Sequence, residues 1–213
     1  MQAQHLLNIE DLQAGDIMLK VKGKSTINKI INVAQALTRL STEDANIVHA
    51  GLLIRDQDQQ GFEEFYVVEA QSGGLAKNRL LQDTTKYFVF RANNEDVRNG
   101  IATAAKLVSD LQGQNQNVSY SIKGAISSLF KRIQGNHQVA NNLLDNIIDG
   151  QPAPMYCSQF VMSCLLFVHE TFRENGVSPI NQNFFNDINK NPAQLIQDLR
   201  ESPSFNFVGL FQL

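Results

Sequence analysis

Apolar positions recur at two periods along this 213-residue chain, and the switches between them mark the elements. Leu12 to Val21, "LQAGDIMLKV", reads as a turn at Gly15 followed by a strand. From Ser25 the period changes: Ile27, Ile30, Ile31, Ala34 and Leu37 fall at i, i+3, i+4, i+7 and i+10, which predicts an amphipathic helix capped by Ser25. The polar loop "STEDAN" then leads to "IVHAGLLI", and "RDQDQQG" leads on to "EFYVVEA". Both apolar runs are short and rich in β-branched or aromatic residues, so they predict a β-hairpin. "YFVFRA", Tyr87 to Ala92, predicts a third strand.

After Asn93 the pattern is helical: Val97, Ile101, Ala104, Ala105, Val108 and Leu111 keep helical spacing, and Gly113 marks the stop. Shorter helical stretches follow near 122–133 and 137–148. "GQPAP" breaks the chain before a long apolar helix that ends at Asn175-Gly176. A helix opened by Asn191-Pro192 and a strand, "FNFVGLF", close the molecule. The predicted class is α+β, a small, mostly antiparallel sheet packed against inserted helices. With no internal repeat and no Gly- or Ser-rich linker, residues 1–213 read as one domain. Its sheet part spans about 12–92, a helical insertion 93–150, and a last helical part with its closing strand 155–213.

Composition narrows the function classes. At 43% hydrophobic and 18% charged the chain has enough apolar residues for a sizeable core. Its net charge of −3, with no basic run beyond Lys20, Lys22, Lys24 and Lys29, argues against nucleic acid as a partner. Those lysines read as a solvated edge. The 21 Asn and 20 Gln are dispersed, which argues against a prion-like tract. The first residues carry neither a basic n-region nor an apolar h-region, so a cytoplasmic protein is expected, with a trimmed signal or signal-independent export as the alternatives. The longest apolar stretch, Phe160 to Val168, is interrupted by Ser163 and falls far short of the ~20 residues that span a bilayer.

The two cysteines share one predicted helix, in "MYCSQFVMSC". Seven helical positions put Cys157 and Cys164 on one face but ~10.5 Å apart along the axis. A disulfide needs Cα atoms within ~7 Å, and zinc–sulfur bonds are ~2.3 Å, so the pair makes neither a bridge nor a shared metal site. No metal or cofactor is expected. Cys164, inside "VMSCLLFV", reads as core. Cys157 sits in the first turn, where free N–H groups and the helix dipole favour a thiolate and a developing oxyanion; an ordinary structural cysteine fits that position as well.

A thiol nucleophile needs a base held by a third group. Of the four histidines, His5, His137 and His169 read as surface residues, whereas His49 interrupts an apolar strand and calls for a partner. Turning the hairpin about Gln59 sets Glu69 opposite His49, and any even slip of register keeps the two on one face. A carboxylate among Val67, Val68 and Ala70 also needs a partner. A purely structural His–Glu pair, or a solvent-facing side of the hairpin, satisfies the same pattern. Gln71 is a weaker candidate for the third member. The stretch "QSGGLAKNRL" reads as a loop, and Gln71, Ser72, Gly73 and Gly74 within it are candidates for a cleft rim.

The order "LQAGDI", "VHAGLLI", "VVEA" and then "YCSQF" at a helix start resembles the circularly permuted branch of the NlpC-like papain-fold cysteine hydrolases, the YiiX/YaeF-like group. The resemblance covers about 12–92 and 155–213, where "NPAQLIQDLRESPSFNFVG" is similar to the family's closing helix and strand. It implies a permuted papain-like fold, with Cys157 as nucleophile and part of the oxyanion hole, His49 as base and Glu69 as the residue that orients it. It departs from the family at Gln159, where "YCSE" is frequent. The sister lecithin:retinol acyltransferase-like branch is less similar: its cysteine motif resembles "NCEHF", and its second histidine falls where this chain has Gly61. The activity implied is thiol hydrolysis of a peptide, amide or lipid-acyl substrate. The alternatives are a lipid acyltransferase or thioesterase on the same residues, and an inactive binding scaffold.

Overall fold

Branched and aromatic side chains alternate through the sheet strands so that one row meets the helices and the other a second, smaller core. The computed structural model describes residues 6–21, 47–71, 74–82, 85–113, 157–188 and 190–213. The helix expected from Ser25, those expected at 122–133 and 137–148, the "GQPAP" break, His5, His137, Ser72 and Gly73 lie outside the described residues.

Among the described residues seven strands form one sheet: β1 (Leu6–Leu7), β2 (Ile17–Val21), β3 (Ile47–Gln57), β4 (Glu63–Gln71), β5 (Gly74–Arg79), β6 (Tyr87–Ala92) and β7 (Phe205–Phe211). Their spatial order is β1-β7-β6-β2-β3-β4-β5, and every neighbouring pair is antiparallel except β1 with β7. Three α-helices are described: α1 (Glu95–Gly113), α2 (Cys157–Glu174) and α3 (Pro192–Glu201). The class is therefore α+β, with a mostly antiparallel sheet.

Each helix starts for a local reason. Asn94 Oδ1 accepts the N–H groups of Asp96 and Val97 at the head of α1. Asn191 caps α3 by accepting from Gln194 N at 2.9 Å, the Gln194 side chain accepts from Asn191 N at 3.0 Å, and Pro192 follows at the first helical position. Both α1 and α2 lay apolar faces on β3, joining Val97, Ile101, Ala105, Phe160, Val161 and Leu165 to Ala50, Leu52 and Val68 in one core. That contact places the start of α2 beside the β3–β4 hairpin.

The "LQAGD" turn works as a pin. Gly15 has φ +90°, and a Cβ there would lie 2.1 Å from the Arg98 carbonyl oxygen, so only glycine lets the turn press on α1. Buried Asp16 accepts two hydrogen bonds from Arg91, each at 2.7 Å, and Arg91 also donates to the Asp11 carbonyl. The pin fixes β2 between β6 and β3.

Two expectations change. "GLAKNR" is not a loop but the edge strand β5, paired with β4 from Gln71↔Gly74 to Tyr66↔Arg79. Its Ala, Lys and Asn are poor strand formers, so cross-strand pairing sets its conformation. His169 is not at the surface either: it is buried, its Nε2 is 2.9 Å from Gln182 Oε1, and its ring lies 5.0 Å from that of Phe185.

Candidate active site

The hairpin register differs from the expected one by two residues. The ladder pairs Gly51 with Glu69, and a turn at Asp58–Phe62 joins the strands. Asp58 Oδ1 organises that turn by accepting from Gln60 N and Phe62 N at 2.9 Å. An even slip preserves the face, so His49 and Glu69 meet diagonally: His49 Nε2 lies 3.0 Å from Glu69 Oε2. The opposed residue, Gly51, carries no side chain to stand between them.

A β-bulge lies beside the histidine. Along β2, Lys20 pairs with His49 but Val21 pairs with Ile47, which leaves Val48 as an extra residue in β3. Such a bulge bends its strand and redirects the neighbouring side chains. The imidazole there is hydrogen-bonded to both Glu69 and the Cys157 thiol. Glu69 takes Nε2, so Nδ1 is the ring nitrogen left for the sulfur. Cys157 is the first residue of α2, and the next residue secures the helix start: the Ser158 hydroxyl donates to the Lys190 carbonyl. Lys190 in turn donates to the Phe184 carbonyl at 2.7 Å and pairs with Asp198 of α3.

Three elements thus bring Cys157, His49 and Glu69 together. The imidazole keeps 23% of its side-chain surface exposed against 6% for the Glu69 carboxylate, so a solute reaches the histidine and not the acid. Glu69 Oε1 accepts from Gln71 Nε2 and from Asn78 Nδ2, each at 2.8 Å. Gln71, a candidate for the rim or for a third member, donates to the acid, and Gly74 opens β5. Asn78 went unnoticed in the sequence because its strand carries no apolar alternation. The available signal was the pair of cations Lys77 and Arg79 on either side of Asn78, which bind the strand acids Asp56 on β3 and Glu64 on β4.

Electrostatics follow from these contacts. Burial is the largest influence on His49 and opposes its charge, but the hydrogen bonds to Cys157 and Glu69 and the electrostatic pull of both outweigh it, raising the imidazole to about 10. Burial also opposes ionisation of Glu69. There His49, by hydrogen bond and charge, then Gln71 and the charge of Lys20, hold the carboxyl below its usual value. The two shifts agree: each partner favours the charged form of the other. Cys164 contrasts with this arrangement, because burial alone pushes its thiol well above the ordinary range. Both cysteines are free thiols.

Among the described residues no group of three or more His, Cys, Asp or Glu is placed to hold a metal ion, and no helix is long and apolar enough to cross a membrane. Lys20, the described member of the lysine group, lies in β2 with its ammonium 5.8 Å from the Tyr87 ring centroid. Comparisons with family models, curated proteins and solved structures gave no match to this chain.

Proposed function

We propose that this chain is a thiol hydrolase of the peptidase or amidase kind, acting by nucleophilic acyl transfer on a permuted papain-like fold. One observation carries the proposal: a partly exposed imidazole hydrogen-bonded on one side to a helix-initial thiol and on the other to a buried, fully engaged carboxylate. That is the nucleophile–base–orienter arrangement that acyl transfer requires.

His49, held in its charged form at neutral pH, keeps the proton that Cys157 gives up as the sulfur attacks a carbonyl carbon. The N–H of Cys157, at the first position of α2, donates to the oxyanion that forms. The imidazolium then returns the proton to the leaving amine, which departs as the carbon–nitrogen bond breaks and leaves a thioester on Cys157. Water attacks that thioester with His49 again as base, releasing a carboxylic acid and restoring the thiol. Glu69 takes no proton; it stabilises the imidazolium and holds Nδ1 toward the sulfur.

The test is intact-protein mass spectrometry after mixing with p-nitrophenyl acetate, together with the released chromophore. A burst and an acetyl adduct on Cys157 are expected, with Cys164 unmodified. Cys157→Ala abolishes the adduct and lowers turnover on the order of 10³-fold or more, with the fold intact. An adduct confined to Cys164, or no burst from the wild-type protein, overturns the assignment.

A further inference from the structure

A carboxylate that orients a histidine must itself be oriented, and Glu69 sits where the sheet does this with neutral groups. Its direct neighbour across β3 is Gly51. A Cβ there would lie 2.7 Å from Val67 Cγ1, 2.9 Å from the Val68 carbonyl oxygen and 3.3 Å from Glu69 Cβ. The gap lets the carboxylate lean diagonally onto His49 with Oε2 while Oε1 turns toward β5. On β5, Ala76 is opposed to Glu69, and Asn78, two residues along and on the same face, donates its amide to Oε1. Gln71 donates to the same oxygen but is exposed, whereas Asn78 is half-buried.

We propose that Asn78, supported by Gln71, is a positioning residue that fixes the Glu69 carboxylate on His49. This rests on the Cys157–His49–Glu69 assignment and adds a fourth residue that never touches substrate. An amide suits the task better than a cation. It stabilises the ionised carboxylate without offering a fixed positive charge that would compete with the imidazolium for it. Beside Asn78 on β5, the Lys77 side chain pairs with Asp56 and that of Arg79 with Glu64; Lys106 of α1 joins Asp56 at 2.5 Å. Among the described residues, the titratable groups around His49 are Glu69 on β4, Lys20 paired with it on β2, and the Cys157 thiol at the head of α2.

The experiment is a pH titration of the His49 ring resonances by NMR, run beside the rate of Cys157 alkylation by iodoacetamide. The proteins are wild type, Asn78→Leu, Asn78→Gln and Gln71→Ala, with His49→Ala as the reference for alkylation. Asn78→Leu keeps the size and removes the donor. It is expected to lower the His49 midpoint by about one pH unit and to slow alkylation at neutral pH by about tenfold. Asn78→Gln restores much of both effects, and Gln71→Ala has the smaller effect. If Asn78→Leu does not fold, the contrast between wild type and Asn78→Gln still reads the geometry, because the longer amide shifts the midpoint in the same direction by less. An unchanged His49 midpoint together with lower thermal stability makes Asn78 a structural edge residue and overturns the proposal. If wild-type alkylation is insensitive to His49→Ala, the Cys–His assignment fails instead. The NMR midpoints then report separately on whether Asn78 acts through Glu69.

Discussion

The two ends of the β3–β4–β5 ribbon handle buried and half-buried carboxylates in opposite ways. At the end near the hairpin turn, Asp56 pairs with Lys77 and Lys106, and Glu64 pairs with Arg79. These partners are a guanidinium and two ammonium groups, so the pairs act as ion pairs that hold strands together. At the other end, Glu69 faces a histidine and two amides. The amides cannot take or give a proton there, so among the hydrogen-bond partners described for Glu69 the imidazole is the one that can. The same strands thus carry a fixed ionic clamp at one end and a proton-exchanging pair at the other. The partner of the acid, rather than the acid, decides which.

The sharpest way to break this comparison is to remove the charge at the exchanging end. Glu69→Gln keeps the shape but takes away the negative charge that helps hold His49 up at about 10. His49 should titrate nearer its usual 6.5, and acylation of Cys157 at neutral pH should fall by about 10²-fold, on the scale of losing the stabilised imidazolium. The pH–rate profile of acetylation measures it. The stability consequence has a definite sign. A folded-state imidazole at about 10 contributes stability that is fully present below the unfolded value of 6.5 and is lost as pH rises from there through 10. Wild-type protein should therefore lose more of its low-pH stability over that window than Glu69→Gln. Equal slopes in urea unfolding at pH 6, 8 and 10 would place the stabilisation elsewhere.

Next in size comes Gly51→Ala, which leaves every polar group in place and attacks only the space. The added carbon would sit within 3 Å of Val67 Cγ1 and of the Val68 carbonyl oxygen, so β3 and β4 must part there. Overpacking of this kind costs about 1–3 kcal/mol. The same displacement moves Glu69 relative to His49, so acylation should fall along with the midpoint of urea unfolding. Alanine tolerated in both measurements would mean that the ribbon yields at this point, and that the diagonal His49–Glu69 contact needs no empty position across from the acid.

Much of this end of the ribbon was legible in the sequence, and the illegible part has physical causes. A histidine inside "IVHAGLLI" and a glutamate inside "YVVEA" are costly without partners, and side-chain alternation at period two links them across a hairpin even when the register is off by two. The error came from the turn: Asp58 and Gly61, at φ +84°, tighten it around Asp58–Phe62, so β3 runs on to Gln57. β5 was hidden because an edge strand paired on one side needs no apolar pattern, and Asn78 was hidden with it. His169 was misplaced because helical position alone does not reveal the segment around Gln182–Phe185 that folds over it. The bulge at Val48 had no local signal, since it is a mismatch between two strands.

The smallest expected effect tests the other side of the comparison. Lys106 and Lys77 hold the Asp56 carboxyl down at about 2 despite the opposing effect of burial. A carboxyl lowered in the folded state contributes stability that is present above its unfolded value near 4 and is lost as pH falls through about 2. Water screens much of that contribution at this outer end of the ribbon, so Asp56→Asn should cost only about 0.5–1 kcal/mol at pH 7. The cost should shrink toward zero near pH 2 and fall with added salt, while acylation of Cys157 stays at the wild-type rate. A large drop in acylation from Asp56→Asn would show that the ionic clamp governs the geometry of Asn78 and Glu69 along β5. The two ends would then form one mechanical unit, and the separation of fixed from exchanging carboxylates would hold for their chemistry but not for their positioning.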